Sequence, residues 1–500
     1  MTCVQGFNPR TGKPAGPPIA ETTADHVDAI CTRAQQAFKA WSSMPGKLRA
    51  AALEKVADAI DANCDDLATL ADSETALGVP RLTGETRRTS NQLRLFANVL
   101  REGSYLEATL DSPDAGSVPP RPDLRRMLQP LGPVAVFSSS NFPFAFSVAG
   151  GDTASALAAG CSVVVKAHEA HPATSRETAR IVAEALAAAG APDGTFGIVY
   201  GIDAGTALVR HHAIKAVGFT GSTRGGRALL DMANARPDPI PFYGELGSLN
   251  PCIVLPGAAA ERGDTIAQGY AASLTLGCGQ FCTNPGLLFV PGGLVARVAG
   301  EVRKTAGGAM LSARIRDAYV DGIRELAAAS TRVATGGTSP EAWAVQPELF
   351  HVDLATFAAH MEQYTAEHFG PAGLVVSYDH PDEAIEVLAQ LPGTLTGTVH
   401  AAEHERTLAH SAAAALRRIA GRVIYNAWPT GVAVAWGMQH GGPWPATTHP
   451  LHTSVGATAI RRWLMPVSFQ GWPDDLLPAE LQDANPLHIP RRRDGVLGMK

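Results

Sequence analysis

The sequence predicts an α/β fold built on parallel sheets, divided between at least two domains. From residue 131 onward, short apolar runs alternate with helical stretches, an order typical of parallel strands covered by helices. The chain has 500 residues, too many for one ordinary core, so two or three domains are expected. Its composition, 45% hydrophobic and 18% charged, is that of a globular protein and excludes a disordered or fibrous chain.

Residues 22–110 are predicted to be helical. Thr23 and Asp25 can cap a first helix, whose apolar residues recur at helical spacing up to Trp41. Similar patterns cover 50–72 and 84–101. A stretch rich in proline and turn-forming residues, 108–122, predicts a loop.

Strands and helices then alternate in two regions. The first has predicted strands at 132–137, 162–167, 197–200 and 216–221, with helices over 145–159, over 172–189 and from Ser222. The second has a helix over 261–275 and predicted strands at 251–257, 287–293, 374–378, around 396–400 and at 422–426. The proline-rich stretch from Gly471 is expected to lie over the surface.

Charge and cysteine usage exclude several classes of function. With 41 basic and 47 acidic residues the formal charge is −6, which argues against nucleic acid as a partner. No apolar run could span a bilayer and the N-terminus lacks a signal core, so a cytoplasmic protein without a membrane partner is expected. Seven scattered cysteines predict free thiols, and no paired spacing of cysteine or histidine suggests a metal site.

Common catalytic and nucleotide-binding motifs are absent from the sequence. It has no G-x-G-x-x-G opening a helix, no phosphate-binding P-loop, no H-E-x-x-H and no G-x-S-x-G. The predicted sheet is therefore not an ordinary dinucleotide-binding half by fingerprint.

Cys282 is the candidate nucleophile. It lies in Gly-Gln-Phe-Cys-Thr-Asn, a predicted turn after a helix, where a thiol can reach a cleft. A thiolate there would be a strong nucleophile. The alternative for any lone cysteine is a small buried hydrophobe, and Cys161 and Cys252 fit that description.

Two polar residues could assist such a nucleophile. Glu245 follows a strand-like run and is bracketed by glycines, so its carboxylate has room to act as a general base. Asn141 follows the strand at 132–137 and could aim its amide at a developing oxyanion. The alternatives are a turn glutamate at the surface and an asparagine that caps a helix.

Gly221 and Ser222 end a predicted strand and open a helix. Glycine at a helix N-terminus accommodates a pyrophosphate, although a simple capped helix explains the same residues equally well.

Taken in order, these segments resemble the aldehyde dehydrogenase superfamily. The matching motifs are Asn141, Lys166, FTGS at 219–222, ELG at 245–247, GQFC at 279–282, EHFGP at 367–371 and Asn426 with PTG at 429–431. Together they cover about residues 20 to 470. The segments SNFPFAFSVAGGDTASALAAG, FYGELGSLNP, GQFCTNPG and HGGPWPAT are similar to the bacterial branch that contains 2,5-dioxovalerate (α-ketoglutarate semialdehyde) dehydrogenases and fatty-aldehyde dehydrogenases.

The resemblance implies a role for each matched residue. Cys282 would attack the aldehyde, Asn141 and the Cys282 N–H would hold the oxyanion, and Glu245 would activate water against the thioester. The implied cofactor is NAD or NADP, bound by residues at seven positions: Lys166, His168, Glu169, Gly221, Ser222, Glu367 and Phe369. Glu169 would accept the ribose hydroxyls and repel a 2′-phosphate, which predicts NAD over NADP.

The resemblance also implies an architecture. It gives a Rossmann-like cofactor domain (1–117 and 131–246), an α/β catalytic domain (247–450), a β-hairpin oligomerisation element (118–130 and 451–475) and a C-terminal tail (476–500). The hairpin near 118–130 would pair with a strand near 457–468 and dock on a second subunit, giving a homodimer or homotetramer.

Four functional hypotheses remain on the sequence. The leading one is hydrolytic oxidation of an aldehyde, 2,5-dioxovalerate or a medium- to long-chain fatty aldehyde. A CoA-acylating relative usually lacks the base, so Glu245 argues against it. A catalytically silent protein would be expected to lose Cys282 or Glu245. A cysteine hydrolase is disfavoured because no histidine motif accompanies Cys282.

Three departures from the superfamily pattern concern the same segments. Ser140 replaces the proline or aromatic residue that often precedes the asparagine, and Ser248 replaces the second glycine of E-L-G-G. Ala433 stands where this branch often carries an acid, and no basic residue in the matched motifs awaits a substrate carboxylate.

Overall fold

The computed structural model describes residues 2–499, and its first part is a hairpin followed by four helices. The elements are β1 (Cys3–Asn8), β2 (Lys13–Ala20), α1 (Ala24–Ser42), α2 (Gly46–Ala62), α3 (Cys64–Thr75) and α4 (Val79–Glu102). Thr23 caps α1 as expected, because its side chain accepts a hydrogen bond from the His26 N–H. The antiparallel β1–β2 hairpin was not predicted.

Helix α4 buries a face of mixed character. Its second half buries Leu93, Phe96 and Val99, with α2 packed against the helix, whereas its first half buries the polar residues Glu85, Thr86 and Thr89. Buried polar groups require partners. The Glu85 carboxylate accepts hydrogen bonds from the N–H groups of Phe144 and Ala145, so it ties this helix to the chain that follows Asn141.

The first large sheet has five parallel strands. The next elements of the chain are β3 (Thr109–Asp111), β4 (Leu124–Pro130), β5 (Val134–Phe137), α5 (Gly151–Ala159), β6 (Val163–Lys166), α6 (Pro172–Ala188), β7 (Phe196–Val199), α7 (Ile202–Arg210), β8 (Ala216–Thr220), α8 (Thr223–Asn234) and β9 (Phe242–Glu245). The strand order is β7-β6-β5-β8-β9. The chain adds β6 and β7 on one side of β5 and then returns to add β8 and β9 on the other side. Such a reversal opens a crevice at the carboxyl ends of the strands.

The predicted helix over 145–159 is shorter in the structure. Helix α5 begins at Gly151, and residues 143–150 form successive turns after Pro143. A Cβ at Gly150 would lie 2.5 Å from the Ala145 carbonyl oxygen, so the turn folds too tightly onto itself to be helical. The turns bury the apolar residues of this stretch, so the hydrophobic pattern of the sequence resembled that of a buried helix.

The second large sheet has seven strands. Its part of the chain contains β10 (Cys252–Val254), α9 (Pro256–Thr275), β11 (Leu287–Pro291), α10 (Val295–Val302), β12 (Gly308–Ala309), α11 (Ala313–Ala329), β13 (Thr331–Thr335), β14 (Ala344–Val345), β15 (Glu348–Asp353), α12 (Leu354–Ala359), α13 (Met361–Tyr364), β16 (Ala372–Tyr378), α14 (Pro381–Leu388), β17 (Thr394–His400), α15 (Arg406–Ile419) and β18 (Ala420–Tyr425). The order is β13-β15-β16-β11-β10-β17-β18, and only β13 runs antiparallel to its neighbour.

A third sheet joins the two ends of the chain. Strands β19 (Leu464–Gln470), β20 (Arg491–Arg493) and β21 (Val496–Gly498) combine with β3 and β4 in the order β19-β4-β3-β20-β21. Leu464 pairs with Pro130 in an antiparallel register, close to the pairing that the sequence predicted. The ribbon differs from the prediction in extent. Its turn connects β3 to β4, and the last strands of the 476–500 stretch extend the same sheet.

Burial explains why the central strands were readable from sequence. All residues of β5, β6 and β10 are buried, because helices cover both faces of each parallel sheet. Among the helices of residues 2–499, none is long and apolar enough to cross a membrane.

Candidate active site

One cleft collects most of the residues that the sequence singled out. It has a volume of about 340 Å³ and lies at the carboxyl ends of β5, β8 and β9. Every predicted site residue except Lys166 and Glu169 lines it: Asn141, His168, Gly221, Ser222, Glu245, Cys282, Glu367 and Phe369.

The loop that carries Cys282 is held in an unusual conformation. Gly277, Cys278 and Gly279 have φ of 57°, 57° and 66°, a left-handed run that favours glycine. At Gly279 a Cβ would lie 2.3 Å from the Gly370 carbonyl carbon, so no larger residue fits. The Asn250 amide donates to the carbonyls of Cys282, at 2.8 Å, and Asn284, at 2.9 Å. These contacts fix the nucleophile's backbone.

Ser248, the departure from the E-L-G-G pattern, belongs to the same support. Its buried hydroxyl donates to the Asn250 side-chain oxygen at 2.8 Å and accepts from the Leu395 N–H at 2.9 Å. The serine therefore orients the asparagine that holds the Cys282 loop.

Asn141 lies beside this loop. Its side-chain Nδ2 donates to the Gln280 carbonyl at 3.0 Å, and its own carbonyl accepts from Arg81 at 2.7 Å. The amide is buried and directed at the segment of Cys282, where a donor could stabilise negative charge on a reacting oxygen.

Glu245 is the last residue of β9 and is almost completely buried. Its Oε2 accepts from the Ser454 hydroxyl at 2.9 Å and lies 3.1 Å from His440 Nε2. Burial opposes ionisation, but His440 and the hydrogen bonds from His440, Ser454 and Cys282 prevail, so the pKa of Glu245 is lowered. The carboxylate is therefore charged at neutral pH.

His440 is the site residue that sequence reasoning missed. Its Nε2 lies 3.5 Å from Cys282 Sγ, so a histidine does lie beside the cysteine although no sequence motif indicated it. The residues are 158 positions apart, and no local motif links them. The one available signal was the segment HGGPWPAT, of which His440 is the first residue.

The charge of Glu245 affects the protonation of the neighbouring Cys282 thiol. Burial and the charge of Glu245 raise the pKa of the Cys282 thiol well above its ordinary value. The thiol is thus protonated at rest, and the ionised Glu245 is a proton acceptor within reach. The three ligating atoms lie within 4.8 Å of one another, a spacing that a metal ion could also bridge, which the sequence did not suggest.

The opposite part of the cleft is formed by the start of α8. The Ser222 hydroxyl caps this helix by accepting from the Gly225 N–H at 3.2 Å, and Gly221 and Ser222 are exposed to the cleft. Glu367 lies against Gly247, where a Cβ would come within 2.5 Å of its carboxylate. Glu367 is exposed to the cleft.

Lys166 and Glu169 form an ion pair behind this part of the cleft. Although burial opposes ionisation of Glu169, the charge of Lys166 keeps the pKa of its carboxyl lowered. His168 accepts a hydrogen bond from the Ala170 N–H at 3.0 Å, and burial lowers the pKa of His168 to about 3. The turn therefore carries a neutral histidine and a paired lysine.

Known proteins share this arrangement over nearly the whole chain. A family model described as the aldehyde dehydrogenase family matches residues 2–443. The alpha-ketoglutaric semialdehyde dehydrogenase 2 of Azospirillum brasilense is 47% identical over 98% of this chain and 96% of its own length. The alpha-ketoglutaric semialdehyde dehydrogenase of Acinetobacter baylyi is 41% identical over 99% and 95%, respectively.

Solved structures show the same fold. A mutant of aldehyde dehydrogenase C of Pseudomonas syringae, complexed with NAD⁺ and octanal, superimposes with a TM-score of 0.81 at 22% identity, covering 94% of each chain. PnpE in complex with nicotinamide adenine dinucleotide gives 0.80 at 24% identity with the same coverage. With its motifs in the expected order on this fold, the chain belongs to the aldehyde dehydrogenase family.

Proposed function

We propose that the protein oxidises 2,5-dioxopentanoate, the semialdehyde of 2-oxoglutarate, to 2-oxoglutarate with NAD⁺ and water. The observation that carries the proposal is the contact of Cys282 Sγ with His440 Nε2 at 3.5 Å, next to the ionised Glu245 and at the floor of the Gly221–Ser222 cleft. Two relatives above 40% identity carry this semialdehyde in their names.

The residues of the cleft fit a nicotinamide dinucleotide. The N-terminus of α8 exposes backbone at Gly221 and Ser222, which suits a pyrophosphate. Glu367 and Phe369 flank the cleft near Cys282, at the place for the nicotinamide ribose. Lys166, His168 and Glu169 lie after β6, at the place for the adenosine ribose. When bound, the cofactor supplies the hydride acceptor.

The chain's own groups supply the proton chemistry. Glu245 takes the thiol proton as Cys282 attacks the aldehyde carbon and passes it on to solvent, while His440 Nε2 donates a hydrogen bond to the Glu245 carboxylate. The Asn141 amide donates to the oxygen that becomes negative. After the carbon has been oxidised, the thioester on Cys282 must be hydrolysed. Glu245 then removes a proton from the attacking water, which releases the acid and restores the thiol.

A CoA-acylating activity and a fatty-aldehyde substrate are the two alternatives to this proposal. A CoA-acylating enzyme has no use for a buried ionised base beside its thioester, whereas Glu245 occupies that position. A fatty-aldehyde substrate remains the alternative within the same chemistry. NADH formation at 340 nm, measured with 2,5-dioxopentanoate, succinic semialdehyde and medium-chain aldehydes, with and without CoA, tests the proposal. Stimulation that depends on CoA would contradict it.

The protein is also proposed to be a homodimer or homotetramer. Apolar side chains are exposed on the third sheet and beside it, among them Met465, Trp472, Val496 and Leu497. Covering them with a second copy would remove apolar surface from water. Sedimentation analysis of the full chain decides the state.

Replacing the nucleophile should abolish turnover. Cys282→Ala removes the sulfur that forms the covalent adduct, and Cys278, whose thiol contacts the Gly308 carbonyl, cannot substitute for it. We expect no measurable aldehyde oxidation, while cofactor binding, followed by fluorescence titration, persists. Cys3→Ala, at the exposed N-terminal strand, serves as the control with full activity. Appreciable turnover by Cys282→Ala would contradict the mechanism.

Replacing the base should slow hydrolysis more than oxidation. Glu245→Gln keeps the shape of the side chain but cannot accept a proton from water. Rapid mixing should show a burst of NADH followed by turnover slower by about 10²–10⁴-fold, the usual contribution of general base catalysis. An unchanged steady-state rate would remove Glu245 from the mechanism.

Loss of His440 should shift the pH dependence. Because the pKa of the Cys282 thiol is raised, kcat/KM for the aldehyde should increase with pH as the thiol deprotonates. His440→Gln removes the Nε2–H group that lies 3.5 Å from Sγ and can stabilise the thiolate, so the increase should move to higher pH, and kcat/KM at neutral pH should fall by about 10²-fold. The matched control is the exposed His449→Gln, whose profile should match the wild type. An unshifted profile in His440→Gln would show that the histidine only packs.

NAD should be preferred over NADP. At the turn after β6, Lys166 is already paired with Glu169 and His168 is neutral, so the turn itself offers a 2′-phosphate no unpaired cation. Like-charge proximity in such a site corresponds to a preference of roughly ten- to a hundredfold. Glu169→Thr should shift kcat/KM toward NADP. A wild-type preference for NADP would contradict this, and would direct attention to Arg314, the cleft cation that faces His168.

A further inference from the structure

Three arginines lie around the proposed active site. Arg81 and Arg88 come from α4, and Arg422 comes from β18. Arg81 donates to the Asn141 carbonyl at 2.7 Å. Arg422 donates to the carbonyls of Pro429 and Gly431 at 2.6 and 2.8 Å. These two guanidinium groups therefore hold backbone.

Arg88 is the least committed of the three. It makes one long hydrogen bond, 3.3 Å from Nη2 to the Val432 carbonyl. Its Nη1 is buried and has no hydrogen-bond partner within the described chain. Leaving a buried charged donor unpaired is costly, so the free Nη1 of Arg88 is a donor that an anion could satisfy. Arg81 Nη1 and Arg422 Nε also have no partner among residues 2–499, but shorter bonds to backbone already hold their guanidinium groups.

The Arg88 guanidinium is connected to the nucleophile through two neighbouring rings. It lies 5.3 Å from the centre of the Phe146 ring, and this ring lies 6.1 Å from that of His440. His440 in turn contacts Cys282 Sγ. Neither Arg88 nor Phe146 lines the Gly221–Ser222 cleft, so they belong to a part of the site that the dinucleotide does not occupy.

The charges around Arg88 leave it available for a ligand. Burial lowers the pKa of Arg88, while the neighbouring acids Glu85 and Glu245 oppose the shift. Glu85, on the same helix, directs one carboxylate oxygen to the N–H groups of Phe144 and Ala145. No hydrogen bond joins Glu85 to Arg88 among residues 2–499, so the acid lowers the cost of burying the arginine without satisfying its donors.

We propose that Arg88 binds the carboxylate of the substrate, whose carbon chain lies along Phe146 and presents its aldehyde to Cys282. The inference rests on the proposed function and names the residue that selects an acid semialdehyde over a neutral aldehyde. A guanidinium and a carboxylate pair through parallel hydrogen bonds, and the free Nη1 supplies the missing donor. In a five-carbon semialdehyde the carboxylate lies only a few bonds from the aldehyde, and the rings of Phe146 and His440 lie between Arg88 and the thiol.

The test compares an acid with a neutral aldehyde of equal length. Arg88→Gln should lower kcat/KM for 2,5-dioxopentanoate by roughly 10- to 100-fold, the range expected for a charged hydrogen bond, mainly through KM. Oxidation of pentanal should change by less than about threefold. Arg88→Lys, which keeps the charge and loses the planar fork, should retain part of the preference. Glutarate should inhibit the wild type competitively and Arg88→Gln much more weakly.

The control is Arg87→Gln, which removes the same charge from the neighbouring, exposed position of α4. Its ratio of semialdehyde to pentanal kcat/KM should equal that of the wild type. If Arg88→Gln and Arg88→Lys lowered kcat/KM equally for both aldehydes, leaving the ratio of the two values unchanged, the assignment of Arg88 would be overturned. A wild type that oxidises pentanal as well as the semialdehyde would overturn the acid substrate, and one that forms no NADH with any aldehyde would overturn the proposed function itself.

Discussion

The site depends on keeping one buried carboxylate charged. Glu245 has lost nearly all its contact with water, and a charge in that position is stable only with hydrogen bonds and a positive partner. Ser454 and His440 provide them, and both belong to a segment far from Glu245 in the chain. The backbone of β9 is joined to this segment by a bridge between Glu245 and Thr447. Glu245 therefore has these partners only after the first sheet and the 440–454 segment have packed together.

The same carboxylate determines the state of the nucleophile. A negative charge beside a thiol disfavours the thiolate, so the pair keeps its proton on sulfur until a substrate arrives. This arrangement protects the cysteine, since the thiolate is the form that reacts with oxidants and other electrophiles. It also makes a hydrogen-bond donor beside the sulfur useful, because the charge of Glu245 opposes the thiolate that must form during attack. His440 Nε2, within reach of both side chains, meets that requirement geometrically.

How far the sequence predicts this structure depends on how local each feature is. The strands of the parallel sheets are buried on both faces, so their apolar runs are visible in any window of a few residues. The residues of the cleft were found because they lie at strand ends and in turns that carry their own glycines. His440 and Arg88 act through partners that folding brings to them from other elements, and no spacing encodes such a contact. The turns at 143–150 were misread because burial alone produces a helix-like pattern.

The backbone path of the segment 429–432 does not depend on which side chain stands at position 433. Arg422 on one side and Arg88 on the other bind carbonyl oxygens of Pro429, Gly431 and Val432, so the path of this segment is set through its backbone. Backbone contacts do not require particular side chains, and an alanine at 433 leaves them intact. The Val432 carbonyl satisfies only Nη2 of Arg88, and Nη1 has no partner among residues 2–499. In the proposed function a substrate carboxylate would satisfy that donor, and a neutral aldehyde could not.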